Sequence, residues 1–457
     1  MTGVQATNDG VVRSLAGWGR TAPTTARVLA PDQVDGVIAA VRGRTRRGVL
    51  ARGLGRSYGD AAQNAGGLVL DLRRLDTVHS VDPDTRMVDV DAGVSLDALM
   101  RQLLPLGLFV PVTPGTRQVT VGGAIAADIH GKNHHVAGSF GNHVESLDLL
   151  CADGTVRTVG PGQDPELFWA TIGGMGLTGI VLRARIRMSA VETAYCVVDT
   201  ERADNLDDLM TRLAADDDRY TYSVAWFDTT TTGARMGRAV LTRGWSATRD
   251  QLPQRLRRAP FAFDAKELVS APPVVPNGLL NRFSITAFNE LWFRKAPRER
   301  RGEVQSIAQF FHPLDAVRDW NRVYGSRGFL QYQFVVPFGA EETLRQCVER
   351  LCASPYVSFL NVLKRFGAGN PAPLSFPTPG WTLAVDIPVA DGLGRLLDEL
   401  DDQVAGAGGR LYLAKDSRLS PAMVRRMYPR LDEWLAVRRA VDPDGVFTSD
   451  LSRRLML

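Results

Sequence analysis

The amino-acid sequence predicts an α+β protein of two domains. Three observations carry this. At 457 residues the chain exceeds what one hydrophobic core ordinarily supports. Residues 1–193 alternate short strands with helical stretches, whereas residues 194–409 are richer in aromatic residues and long loops and read as an antiparallel sheet. Residues 410–457, from "GRLYLAKDSRLS" onward, then resume the pattern of the first part.

Each element has a local reason. "GVLARGLGRSYGD" (48–60) is an apolar strand that runs into a glycine-punctuated turn. "GLVLDL" (67–72) and "MVDVDAGVSL" (87–96) alternate as strands do. "LDALMRQLLPLG" (96–107) has helical spacing, with Ser95 to open it and Gly107 to close it. "VESLDLLCADGTVRTVG" (144–160) reads as a hairpin about Asp153-Gly154, and "GIVLRARIRM" (179–188) as a further strand. In the middle region "YTYSVAWFD" (220–228), "GFLQYQFVVPF" (328–338), "VSFLNVLKRFG" (357–367) and "WTLAVDIPV" (381–389) alternate apolar with polar residues. One face of that sheet meets a core, and the other presents Trp226, Gln331, Gln333 and Lys364. Two long loops, 266–283 and 313–327, are expected to be mobile without ligand and to order over a lipid chain or membrane surface.

Composition excludes several classes. An apolar content of 44% with 23% charged residues is that of a soluble globular protein. A net charge of +4 falls well short of a nucleic-acid-binding signature. Basic residues bunch in "RLRRAPF" (255–261) and "WFRKAPRERRGE" (292–303). Such runs form either a solvated face or a patch that meets anionic lipid or phosphate, helped by Trp292 and Phe293. The four cysteines have no CxxC spacing, so neither a zinc site nor a disulfide framework is expected. The stretch "MTGVQATNDGVVRSLAGWGR" lacks a signal-peptide pattern, and no apolar run is long enough to span a membrane. By composition alone the expected location is the cytoplasm.

"GGMGLTG" (173–179) matches G-x-G-x-x-G formally. The strand-like "IVLRARI" after it, where a helix is required, removes the nicotinamide-binding reading. "ARGLGRSYGD" (51–60) and "PGTRQVTVGGAIAADIHG" (114–131) are different. Each leaves a strand through closely spaced glycines, whose free backbone N–H groups suit a diphosphate held between two loops. The second loop runs directly into "DIHGKNHH" (128–135), and with His143 that stretch holds four of the chain's six histidines. No H-E-x-x-H pattern is present, and Lys132 amid the cluster opposes a cation, so no metal is expected. Histidines satisfied within a polar loop are the plainer alternative. Continuity with the glycine loop favours a positively biased wall beside the reactive end of a cofactor.

These motifs, with "GGRLYLAKDSR" (408–418), resemble the decaprenylphosphoryl-β-D-ribose 2-oxidases, flavin subunits of an actinobacterial epimerase. They are a branch of the vanillyl-alcohol-oxidase and p-cresol-methylhydroxylase type of FAD proteins. The likeness runs from "GWGRTAP" (17–23) to "FTSDLSRRL" (447–455). It implies a two-domain FAD-binding fold: FAD-binding segments 1–193 and 410–457 around a substrate domain at 194–409. Non-covalent FAD is implied, because Arg56 stands where relatives that attach flavin carry a histidine. The implied FAD contacts are Ala51, Arg52, Gly53, Leu54, Gly55, Arg56, Ser57, Tyr58, Gly59, Asp60, Ala61, Gly115, Thr120, Val121, Gly122, Gly123, Ala127, Asp128, Ile129, His130, Val181 and Tyr412. The implied substrate positions are Tyr58, Trp226, Gln331, Gln333, Lys364, Thr382 and Ala384, and the implied catalytic groups are Lys415, His130 and Lys132.

The implied reaction oxidises the ribose 2-hydroxyl of a polyprenyl-phosphate sugar with hydride passing to the flavin. A partner NADH-type reductase then completes epimerisation to the arabinose donor for cell-wall arabinan. The resemblance also implies a cell-envelope, periplasmic-side location with peripheral membrane contact and no nucleic-acid partner. Ala384, Thr382 and Phe311 depart from mycobacterial members, which carry cysteine, asparagine and tyrosine there. The rival within the fold is a sugar-lactone or alditol oxidase acting on a small soluble polyol. The rival outside it is a flavin-free binding protein.

Overall fold

The computed structural model describes residues 10–457. The first nine residues, which open both the first FAD-binding segment and the stretch read for an export signal, lie outside the described residues. A four-stranded sheet has the spatial order Val11–Leu15, Thr24–Leu29, Leu68–Asp71, Val49–Arg52, the last two pairings being parallel. A five-stranded antiparallel sheet follows in the order Val78–Asp82, Met87–Asp91, Ile180–Arg187, Val144–Leu150, Val156–Val159. Ser95 caps the Leu96–Leu103 helix by accepting from Ala98 N at 3.1 Å, and Gly107 closes it with a left-handed φ of 72°.

The third sheet is the largest, with eight strands paired antiparallel throughout. Its order is Glu299–Ser306, Tyr195–Ala203, Ala239–Ser246, Tyr222–Phe227, Asn361–Phe366, Gly380–Pro388, Phe329–Pro337, Arg410–Leu411. Ala225, Phe227, Tyr332, Phe334, Leu363, Leu383 and Val385 share one face and a core with residues of the helices Leu206–Ala215, Glu341–Ala353 and Leu393–Gly406. Burying each large apolar side chain contributes about 1.5–3 kcal/mol. A register slip of one residue would drive Gln331, Gln333 and Asp386 into that core instead, so the register is strongly set.

The chain's end closes back on its beginning. Thr448 N donates to Val49 O at 3.1 Å, and Arg454 forks onto Asp60 at 2.7 and 2.8 Å. The first strand of the last segment, Arg410–Leu411, nevertheless belongs to the large sheet. Two elements depart from the sequence reading. The loops 266–283 and 313–327 are joined, with Val269–Ser270 running parallel to Val317–Arg318. The basic-aromatic run lies in a helix, Arg282–Lys295, and an edge strand, Glu299–Ser306. The helix escapes a periodicity test because much of its apolar surface faces outward.

Candidate active site

The Val49–Arg52 strand ends at Gly53, and the chain turns through Gly55 with a left-handed φ of 64°. Among the described residues no backbone carbonyl accepts from the amides of Gly53, Leu54, Gly55, Arg56 or Ser57, which are only half-buried. Five consecutive unspent N–H groups make a concavity that favours an anion. The second glycine loop stands against it. A side chain at Gly53 would collide with Thr120, which caps the Val121–Ala126 helix through Gly123 N at 3.2 Å. Arg56 bridges the two loops, donating to Gln118 O at 3.1 Å with its guanidinium 3.8 Å from the Trp18 ring centroid.

Several charged members of these stretches spend their side chains within the protein. Arg52 donates to Ala16 O and Ala62 O at 2.9 and 2.6 Å, and Asp60 is held by Arg454. Asp128 is buried at a φ of 41° and accepts from Ser139 Oγ, Gly141 N, Asn370 Nδ2 and Ser375 Oγ at 2.8, 2.8, 2.8 and 2.5 Å. Burial pushes its carboxyl up, and these four donors pull against that. Asp128 thereby ties the histidine loop to residues 370–375 of the middle region.

Of the four clustered histidines only His130 enters the constellation. His134 accepts from Gly367 N at 3.2 Å and lies on Phe366. His135 Nε2 is 2.8 Å from Tyr220 O, and His143 Nε2 is 2.9 Å from Ala137 O. Those three pin the loop. His130 sits among Phe366, Phe376 and Tyr412, with ring centroids 4.7, 5.8 and 5.5 Å away. Tyr412 in turn donates to Ala127 O at 2.8 Å. Burial holds His130 neutral, with the Lys364 charge acting in the same direction.

The proton on His130 can be placed. The Thr382 hydroxyl donates to Phe334 O at 2.9 Å, so it can only accept from Gln333 Nε2, at 3.3 Å. In that orientation Gln333 also donates to His130 Nε2 at 3.0 Å, leaving the ring proton on Nδ1, which faces Lys364 Nζ at 3.3 Å. The chain closes when Lys364 is an uncharged amine. Burial pushes Lys364 down to about 8, which brings that state within reach near neutral pH.

Lys415 arrives from the far end of the sequence. Tyr58 N donates to Ala414 O at 2.9 Å, and any side chain at Gly59 would strike the Asp416 carbonyl. "RSYGD" and "AKDSR" therefore touch because residue 59 is glycine. Lys415 Nζ lies 3.8 Å from the Tyr58 ring centroid. Burial pushes its ammonium well below the ordinary 10.5, with the Asp386 carboxylate holding it partly up and Lys364 pushing it further down. Asp386 is itself buried, accepts from Gln331 Nε2 at 2.5 Å, and is pushed up by burial.

Asp386 was not among the sequence candidates. The signal lay in "WTLAVDIPV", where an acid shares the alternate face of Thr382 and Ala384 in an otherwise apolar strand. Lys132 is turned elsewhere: its amine donates to Phe310 O and lies 4.2 Å from that ring centroid, and burial pushes it down to about 7. Val181 is buried on the Ile180–Arg187 strand.

The sheet register aligns the remaining candidates. Trp226 pairs with Val362, Val362 with Ala384, and Ala384 with Gln333. One row along, Lys364 pairs with Thr382, and in the other direction Gln331 pairs with Asp386. Since alternate residues share a face, all six sequence-read substrate positions of the middle region look out on the side opposite the core.

Decaprenylphosphoryl-beta-D-ribose oxidase of Mycolicibacterium smegmatis (strain ATCC 700084 / mc(2)155) is 55% identical to this chain, over 97% of it and 98% of the relative. The chain belongs to the decaprenylphosphoryl-beta-D-ribose oxidase family. An uncharacterized protein from the mprA 5' region of Streptomyces coelicolor is 44% identical over 80% of this chain and all of its own length. Alditol oxidase of Streptomyces sp. (strain IKD472 / FERM P-14339) is 26% identical over 97% and 99% of the two chains. The FAD binding domain family matches residues 25–160, and the D-arabinono-1,4-lactone oxidase family matches residues 389–455. Like its family, the protein is an FAD-dependent oxidoreductase with the two-domain α+β fold of the vanillyl-alcohol-oxidase type.

Proposed function

We propose that the protein oxidises the 2-hydroxyl of decaprenylphosphoryl-β-D-ribose to the 2-keto sugar. This is the first half of an epimerisation that yields the arabinose donor for cell-wall arabinan. The observation that carries this reading is the convergence of Lys415, His130, Lys364, Gln331 and Gln333 on one face of the large sheet. The name of the 55% identical relative supports it over the alditol alternative at 26%. FAD, when bound, supplies the acceptor for the carbinol hydride.

The cradle of free amides from Gly53 to Ser57, with Gly115 and the Thr120–Gly123 turn, suits the FAD diphosphate. Lys415 takes the hydroxyl proton, for which it must be an uncharged amine, and its buried setting favours that form. Neutral His130 and the buried Lys364 amine form a hydrogen-bonded chain with Gln333 beside the reacting carbon. Lys132 contributes through the loop it anchors to Phe310. Trp226 lies toward the apolar part of the substrate, while Gln331, Gln333 and Thr382 offer polar contacts to the sugar. The cofactor is bound non-covalently, since Arg56 is committed to Gln118 and Trp18 and cannot form an aminoalkyl link.

The same reading keeps the FAD-binding segments at 1–193 and 410–457 around a substrate domain at 194–409, which sheet membership supports apart from Arg410–Leu411. It includes an NADH-type reductase partner, a cell-envelope location and peripheral membrane contact. Among the described residues no helix is long and apolar enough to cross a membrane. Anaerobic titration tests the substrate. A short-chain prenylphosphoryl ribose is expected to bleach the flavin while xylitol leaves it yellow, and the opposite result would establish the alditol alternative.

A further inference from the structure

The Arg282–Lys295 helix is built with its polar contacts inward and much of its apolar surface outward. Asn289 is fully buried and donates to the buried Asp228 at 2.7 Å, and Arg238 clamps both Asp228 and Glu290 at 2.8 and 2.7 Å. Ile285, one turn earlier, is the helix's buried apolar residue. On the outer side Phe283 is 85% exposed and Leu291 68%, with Phe288 and Trp292 beside them at helical spacing. The preceding loop extends the patch through Leu268, Val269, Val274 and Leu279. Eight of the sixteen large apolar side chains exposed among the described residues thus fall between 268 and 292. Scattered exposure is ordinary, but concentration on one anchored helix marks a surface that something covers.

Charge indicates what covers it. Residues 282–301 hold six arginines or lysines against two glutamates, a formal +4 that equals the net charge of the whole chain. Lys295 and Arg298, where the helix ends, have no carboxylate partner among the described residues. An apolar patch with unpaired cations at its rim fits an anionic bilayer, into which aromatic and leucine side chains sink while the cations meet head groups.

The patch is also continuous with the candidate site. Phe288 stacks on Trp292 at 6.1 Å and leans on Phe359 at 5.0 Å, and Trp292 meets Trp226 edge-on at 6.5 Å. Trp226 opens the cross-strand row that leads through Val362 and Ala384 to Gln333. We infer that the Arg282–Lys295 helix docks on an anionic bilayer, and that Phe288, Trp292 and Trp226 pave an apolar ramp along which a polyprenyl chain stays in lipid while its sugar reaches Lys415. The inference rests on the polyprenyl-phosphate reading above and adds the surface through which such a substrate is taken.

The test uses the full-length holoprotein with vesicles of phosphatidylglycerol and phosphatidylcholine, against vesicles of phosphatidylcholine alone. Wild type is expected to co-float with the anionic vesicles, and brominated lipid is expected to quench a fluorescence component that Trp292→Phe removes. Each basic residue at an anionic surface is worth about fivefold in binding. Lys295→Glu with Arg298→Glu should therefore weaken flotation by an order of magnitude or more. Phe283→Ser with Leu291→Ser, at exposed positions away from the site, should do the same while FAD content stays unchanged. Those variants should oxidise a water-soluble short-chain prenylphosphoryl ribose at the wild-type rate and lose only the vesicle-embedded long-chain substrate. Wild type that oxidises the soluble substrate but ignores anionic vesicles overturns the docking surface alone. Failure to oxidise either substrate, with vesicle binding intact, overturns the functional reading instead. A concentration-dependent dimer abolished by Phe283→Ser and Leu291→Ser, without flotation, would assign the patch to a second copy and overturn the proposal.

Discussion

Lys415 and Asp386 form the titrating centre of the site, and two predictions belong to them. Lys415→Ala is expected to keep its fold and FAD but slow flavin reduction by about 10²-fold or more, as for a positioned proton acceptor. Retention of near wild-type reduction, read by stopped-flow absorbance, would move that role to His130. The second prediction concerns pH. On the proposed function Lys415 takes the proton as an uncharged amine, so activity is expected to rise as pH passes its pKa, and burial sets that ascending limb well below the ordinary 10.5. The Asp386 carboxylate stabilises the ammonium and the pair titrates as a unit. Asp386→Asn removes that support, and the limb of kcat/KM should move about one pH unit lower. A limb that stays put or moves higher would dissociate the two groups. Lys415 was legible in sequence because "AKDSR" is a branch-specific motif. Asp386 was not, because its partners Gln331 and Tyr324, whose hydroxyl lies 3.5 Å from the carboxyl, come from other parts of the chain. Ala384, on the same face, leaves no thiol there, and all four cysteines are buried.

Among the elements, the histidine loop and the paired loops carry the next predictions. Asp128→Asn keeps a residue that tolerates a φ of 41° and an oxygen for Gly141 N, but it turns an amide NH2 toward the three donors that share Oδ2. Thermal unfolding should show a loss of about 2–4 kcal/mol, the cost of stranding buried donors. An unchanged Tm would show that Asp128 is not the clamp. The joined segments 266–283 and 313–327 should be nicked together by limited proteolysis, and a polyprenyl-phosphate should protect both together, because Val269–Ser270 and Val317–Arg318 form one ladder. Protection of one without the other would separate them. Strands and the face each residue takes were legible, since alternation sorts Tyr332 and Phe334 from Gln331 and Gln333, whereas which strands pair, and in what register, was not. The Arg282–Lys295 helix was not, because period-based reading assumes that the apolar side faces a core.

At the scale of the whole molecule, the chain places its chemistry where three distant stretches meet: the turn at Tyr58, the loop at His130 and the return at Lys415. The large sheet gives one face to its own helices and turns the other, with Gln331, Gln333 and Lys364, toward the proposed substrate site. That return was legible as resumed alternation after residue 409, while the pairing of Arg410–Leu411 with Phe329–Pro337 depends on tertiary contacts that no local pattern encodes. On the proposed function, this junction removes hydride from C2 of a prenylphosphoryl ribose. Anaerobic flavin reduction by the substrate deuterated at C2 tests it most directly. A primary isotope effect at C2 and none at C3, with reduction by either isotopologue slowed alike in Lys415→Ala, is the predicted result. Equal rates for protiated and C2-deuterated substrate with a primary effect at C3 would contradict it.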